Sequence, residues 1–326
     1  MLILTKSVFA VMIGFLCSVV LGLILIPALK RLNVGQRISV FVGESHRKKE
    51  GTPTMGGLIF IISTFLTTLI LLVANKIEYT TNLGIVLVVF IGYAIIGFLD
   101  DYLSIKRRGN EGLTEVQKLI GQVLIALIFF YMYISNGGQT ALVVSTLGIN
   151  IELGWVYGLF ILFLLVGGSN AVNLTDGLDG LAGGLAGIAF VAFSLISMVV
   201  GFEDMGIFTF ILAGSILGFL VFNTHPAKVF MGDTGSLALG GVMSTIAVLT
   251  HREVTLAVVA GVFIIETLSV ILQVFWIRVF KKKLFLMSPL HHHFEKLGWK
   301  ERDIVKLFWI VGLILAMCGI FFGVWL

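Results

Sequence analysis

The sequence predicts an all-α polytopic membrane protein of about ten transmembrane helices, with both termini extracytoplasmic. Three observations carry that prediction. Of 326 residues, 58% are hydrophobic and 12% charged, whereas a soluble domain averages about 25% charged residues. Apolar runs without charge recur at lengths close to the roughly 20 residues that a helix needs to cross hydrocarbon. Basic residues divide unequally between the two sets of loops that those runs define.

The first run, SVFAVMIGFLCSVVLGLILIPAL at 7–29, is too long for a signal peptide and no A-x-A-like site follows it. Further runs lie near 57–75, 83–99, 116–135, 154–173, 181–201, 206–222, 236–250, 254–280 and 304–326. The 83–99 and 236–250 runs are short and contain glycine, so their ends are poorly marked. With ten spans, nineteen Lys and Arg residues fall in one set of loops and three, Lys6, Lys76 and Arg252, in the other. That bias assigns the rich side to the cytosol. The same face holds twelve of the eighteen acidic residues and keeps a net charge of +7, suited to anionic lipid heads or a phosphate-rich substrate. Outside, the longest loop covers 136–153; alternating residues in TALVVS and GINIEL predict a small β-hairpin near 140–152. Cys17 and Cys318 lie in the first and last spans and imply no disulfide or metal framework. No repeat or nucleic-acid signature is visible, so residues 1–326 read as one integral membrane domain.

Five inner loops concentrate the polar chemistry: SHRKKEGTPTMGG (45–57), GFLDDYLSIKRR (97–108), NLTDGLDGLAGGLAG (173–187), NTHPAKVFMGDTGSL (223–237) and SPLHHHFEKLGW (288–299). Asp100 and Asp101 follow an apolar helix directly and repel one another, a repulsion that a divalent cation relieves. Mg²⁺ takes hard oxygen ligands, usually one or two carboxylates with substrate phosphate and water. Asp233 stands among glycines that let a ligand approach the backbone. Asp176 and Asp179, three apart, would share a helix face with Asn173. The later glycines of that loop suit close helix packing; the acids suit a polar row facing a cavity. His291, His292 and His293 precede a further span, and imidazoles there could donate hydrogen bonds to phosphate oxygens. Glu266, alone within the 254–280 run, is expected to form an interhelical hydrogen bond or mark a bend.

In their order between ten spans, these five motifs resemble the phospho-N-acetylmuramoyl-pentapeptide transferase (MraY) family. That family belongs to the polyprenyl-phosphate N-acetylhexosamine-1-phosphate transferases. The resemblance runs from the first span to the last, and GTPTMGG with the triple histidine favours the muramoyl-pentapeptide branch. It implies a multi-pass enzyme of the bacterial plasma membrane, its site on the cytoplasmic face. The implied reaction joins UDP-N-acetylmuramoyl-pentapeptide to undecaprenyl phosphate with Mg²⁺, giving lipid I and UMP in peptidoglycan biosynthesis. A homodimer is also implied. By resemblance Asp233 holds Mg²⁺, with Asp100 and Asp101 near metal and lipid phosphate and Asp100 the candidate base. Lys49 and the three histidines meet phosphate. Thr54 and Asp176 belong to the substrate site; Asn173, Gly177, Leu178, Asp179, Asn223, Phe230 and Gln273 lie around uridine. Two alternatives remain: a transporter, which should instead gather its charges at the midplane and show related halves, and a sister transferase using UDP-N-acetylglucosamine.

Overall fold

The computed structural model describes residues 3–31, 51–107, 112–144 and 148–324. Helices dominate: α1 (Ile3–Arg31), α2 (Gly57–Val73), α3 (Thr81–Lys106) and α4 (Glu115–Ser135) lead to a two-stranded antiparallel sheet of β1 (Ala141–Val144) and β2 (Ile149–Glu152). Then follow α5 (Trp155–Thr175), α6 (Leu181–Val199), α7 (Glu203–Asn223), α8 (Gly232–Leu249), α9 (Glu253–Val259), α10 (Gly261–Phe280), α11 (Leu290–Lys296) and α12 (Glu301–Val324). Among the described residues nine helices are long and apolar enough to cross a membrane, by length and composition. The tenth expected span, α2, has 17 residues. The hairpin lies where the alternation of β-branched residues places it.

Three boundaries differ from the sequence expectation. The 83–99 run is a 26-residue helix, so Asp100 and Asp101 lie inside α3 rather than just beyond it. The 254–280 run is two helices, divided at Ala260. Finally, α5 ends at Thr175 and Asp176 is its C-cap, with Gly180 at φ +79° before α6. Asp176 and Asp179 therefore occupy a turn and do not share a helix face with Asn173. The cause is local, because the positive φ at Gly180 suits glycine and cannot continue a right-handed helix.

At the centre stands α8, the least apolar of the nine spans and the most enclosed. It packs on α3 and α5, with α2, α6 and α9 at its flanks. Small residues explain this, because helix association in lipid favours surfaces that let backbones approach. A β-carbon at Gly240 would fall 2.2 Å from the Gly168 carbonyl oxygen of α5. One at Gly97 would fall 2.1 Å from the Asp233 carbonyl oxygen. Around this core, α1, α4, α10 and α12 bury far less of themselves and present Leu23, Leu124, Ile271 and Ile314 outward.

Gly97→Ala should accordingly force α3 and α8 apart. Overpacking of this kind costs about 1–3 kcal/mol, so the thermal midpoint in detergent should fall relative to wild type. A midpoint unchanged by the extra methyl would show that the contact has slack.

Candidate active site

Where α3 meets the start of α8, three carboxylates converge. Asp100, Asp101 and Asp233 each place an oxygen within 4.8 Å of the others. Asp100 and Asp101 are 6% and 5% exposed, a burial that isolated charges would not tolerate. Their partners differ. Asp101 accepts hydrogen bonds from the backbone N–H groups of Asp233 (3.3 Å) and Thr234 (3.0 Å) and from the Thr234 hydroxyl (2.6 Å). It thereby satisfies N–H groups that the first turn of α8 leaves without helical partners, at the positive end of the helix dipole. Asp100 accepts from Leu113 N–H at 2.7 Å. Lys118, in the first turns of α4, bridges the remaining pair: its Nζ lies 3.2 Å from Asp100 Oδ2 and 2.9 Å from Asp233 Oδ2. On the other side Asn173 Nδ2 donates to Asp233 Oδ1 at 2.8 Å and to Ser236 Oγ at 2.9 Å.

The GTPTMGG segment closes one flank through its backbone. Phe230 N–H donates to Pro53 O (2.8 Å), Gly56 N–H to Phe230 O (2.8 Å) and Gly57 N–H to Met231 O (2.9 Å). This ladder holds Phe230 from both sides, with its side chain half-buried. Thr54 is buried, and its hydroxyl has no hydrogen-bond partner among the described residues. Asn223 braces the same loop by donating to Val229 O at 3.0 Å. Lys49 lies outside the described residues.

A second cluster forms around the 176–180 turn. Ala227 N–H donates to Asp179 Oδ2 at 3.0 Å, and His225 Nδ1 lies 3.1 Å from the same oxygen. Glu301, the first residue of α12, accepts from Asp179 N–H at 2.8 Å and places Oε2 3.3 Å from His225 Nδ1. Asp176 connects the clusters electrostatically: burial first, then the charges of Asp233, Asp101 and Asp179, push its carboxyl up to about 8. Leu178 is buried between the two acids.

The histidines part company. His291 is fully buried, its backbone N–H donating to Glu266 Oε1 at 3.2 Å and its ring Nδ1 3.3 Å from Oε2. Burial lowers its proton affinity, opposed by Glu266. Its Nε2 faces Gly177, where a β-carbon would come within 2.2 Å, so Gly177 is the space that seats α11. His292 Nδ1 lies 2.6 Å from Glu295, and His293 Nδ1 accepts from Leu286 N–H at 3.1 Å. Gln273 accepts from Leu284 and Phe285 N–H and donates to Phe285 O. It thereby fastens the loop leading into α11. Glu266 thus makes the expected bond between helices, at a position apart from the break at Ala260.

Lys118, His225 and Glu301 were not singled out in the sequence. A lysine near the start of an apolar helix reads as a topology signal, and only the approach of α4 to α3 shows what it neutralises. Lys118→Met should leave the acids uncompensated, at a cost on the order of 2 kcal/mol given that the pair is partly exposed. The thermal midpoint should drop in chelator and recover with added Mg²⁺ more than that of wild type does. Equal midpoints in chelator would show that the acids do not rely on this cation.

The chain's relatives agree with its motifs. A family model described as glycosyl transferase family 4 matches residues 82–251. The phospho-N-acetylmuramoyl-pentapeptide-transferase signature 1 matches residues 49–61. The phospho-N-acetylmuramoyl-pentapeptide-transferases of Bacillus licheniformis and Bacillus subtilis are each 50% identical over 318 residues, 98% of both chains. That of Shouchella clausii is 48% identical over the same span. With half its residues shared along nearly its whole length, and the acid cluster assembled from the matched segments, the chain belongs to the phospho-N-acetylmuramoyl-pentapeptide-transferase family.

Proposed function

We infer that this protein transfers phospho-N-acetylmuramoyl-pentapeptide from its UDP derivative to undecaprenyl phosphate, giving lipid I and UMP. The observation that carries the reading is the meeting of three carboxylates and Lys118 at one end of a helical bundle. A lipid phosphate and a water-soluble diphosphate can meet only at a membrane interface. The excess of basic residues in the same set of loops supports the cytosolic side.

In the reaction an oxygen of the lipid phosphate bonds to the β-phosphorus of the nucleotide, and the bond from that phosphorus to the bridging oxygen breaks. UMP leaves with the electron pair. A phosphomonoester has its second pKa near 6, so the nucleophile is largely ionised at neutral pH and needs little help from a base. Alignment and charge neutralisation matter more. Lys118 is the cation that a phosphate oxygen would meet beside Asp100 and Asp233. Asp101, saturated by the α8 N-terminus, fixes Asp233. The oxygen donor set, two buried carboxylates and the half-buried Asp233, fits Mg²⁺, with Asp233 and Asp100 as the ligands and Asp101 adjoining them. Such an ion, when bound, supplies positive charge against the transferring phosphoryl oxygens. Asp176 stands close enough to Asp233, Asp101 and Asp179 that their charges add to burial in raising its proton affinity, so the cluster holds more negative charge than Lys118 alone offsets.

The nucleotide would lie toward Asp179, with the half-buried Phe230 ring offering a face to uracil. Asn223 braces that loop, and His291 supports the turn at Gly177. Gln273 acts at one remove, by holding the segment before the histidines.

Purified protein given both substrates and Mg²⁺ should release UMP, and UDP-N-acetylglucosamine should not substitute. Asp233→Asn keeps the size of the side chain and removes its charge, so it should abolish turnover with helical content retained, as should chelation of the wild type. Near-native rates in that variant at ordinary Mg²⁺ would remove Asp233 from the metal site.

Asp179 and Asp176 should separate by role. Loss of a hydrogen bond made equally in ground and transition states raises KM, so Asp179→Asn should raise KM for the UDP substrate with a modest change in kcat. A charged hydrogen bond of about 1.5–3 kcal/mol sets the scale. Asp176→Asn should lower kcat. Steady-state kinetics at saturating lipid make the comparison; an equal fall in kcat for both, with KM untouched, would make the turn a single catalytic unit.

A further inference from the structure

We infer that Glu301 is a positioning residue for the nucleotide side of the site, acting through Asp179 and His225. The inference rests on the reading of Asp179 as a uridine contact. Two chain segments far from α12 in sequence meet on this one carboxylate. Its Oε1 accepts the Asp179 N–H at 2.8 Å, which fixes the backbone of the 176–180 turn. Its Oε2 lies 3.3 Å from His225 Nδ1, and that same nitrogen lies 3.1 Å from Asp179 Oδ2. One imidazole nitrogen thus stands between two carboxylates, one belonging to the proposed seat and the other to α12.

The second brace comes from the same helix. Trp309 Nε1 donates to Gly180 O at 3.2 Å. A β-carbon at Gly184 would fall 2.1 Å from its indole. Two turns of α12 therefore hold consecutive residues of the turn, one by an N–H and one by a carbonyl. Asp179 is 4% exposed, so its side chain has little freedom once its backbone is set. An acidic residue in the first turn of a helix is also favoured by the helix dipole alone. That bland role predicts an effect on stability and none on KM.

The test is steady-state kinetics of Glu301→Ala and Glu301→Gln, varying the UDP substrate at saturating lipid. Glu301→Ala should raise KM roughly tenfold, the scale of one hydrogen bond to a charged group, with kcat within about twofold by the ground-state argument. Glu301→Gln keeps an acceptor for Asp179 N–H and its own shape, so it should fold as wild type and raise KM less. Because Glu301 acts through Asp179, adding Glu301→Ala to Asp179→Asn should raise KM by less than about twofold more. Unchanged KM in Glu301→Ala, or multiplicative losses in the double variant, would overturn the positioning role while Asp179→Asn still raises KM. If Asp179→Asn itself leaves KM unchanged, the nucleotide reading falls and this inference falls with it.

Discussion

Asp100 and Asp101 reach Asp233 because α3 and α8 touch at Gly97, where a β-carbon would lie 2.1 Å from the Asp233 carbonyl oxygen. Much else follows from that contact. It brings two carboxylates of α3 onto the first turn of α8, whose free N–H groups bind one of them. The other is shared by Leu113 N–H and Lys118, which draws the start of α4 into the cluster. A polar site with four formal charges can sit at the edge of an apolar bundle only if each charge has a donor or counter-ion. The packing of small residues supplies the proximity, and the helix terminus supplies part of the charge balance.

The spans were legible because apolar length is a local property, and the hairpin because its alternation is. The acids were legible as residue types that handle metal and phosphate, and the family motifs sharpened them. What escaped was the part that depends on approach between segments. Lys118 counts as one cation among nineteen until α4 is set against α3. His225 and Glu301 are separated by four helices in the chain, and nothing periodic joins them. The reverse error came from extending a helix too far: the spacing of Asn173, Asp176 and Asp179 fits a helical face, yet α5 stops at Thr175 and the turn at Gly180 gives the two acids different neighbours.

The triple histidine shows how a motif can contain unlike residues. His291 is a fully buried strut between Glu266 of α10 and the space left by Gly177. His292 and His293 remain partly exposed and make local contacts. The acid within α10 thereby finds its purpose in holding α11 under the 176–180 turn. Gln273, two turns further along α10, secures the loop between them with all its amide hydrogen-bonding groups directed at backbone. One face of α10 organises the histidine segment from below.

The central position of α8 bears on how the chain enters the bilayer. A helix with so many glycine, serine and threonine residues partitions weakly into lipid when alone, since its apolar transfer energy is small. Yet it is the most enclosed of the spans. Its principal neighbours, α3 and α5, together with α2 and α6, all precede it in the chain. When α8 is synthesised, the helices that carry these surfaces have already been made. A weakly hydrophobic core helix gains most from entering the bilayer where partners can enclose it, and the order of the elements along this chain is compatible with that need.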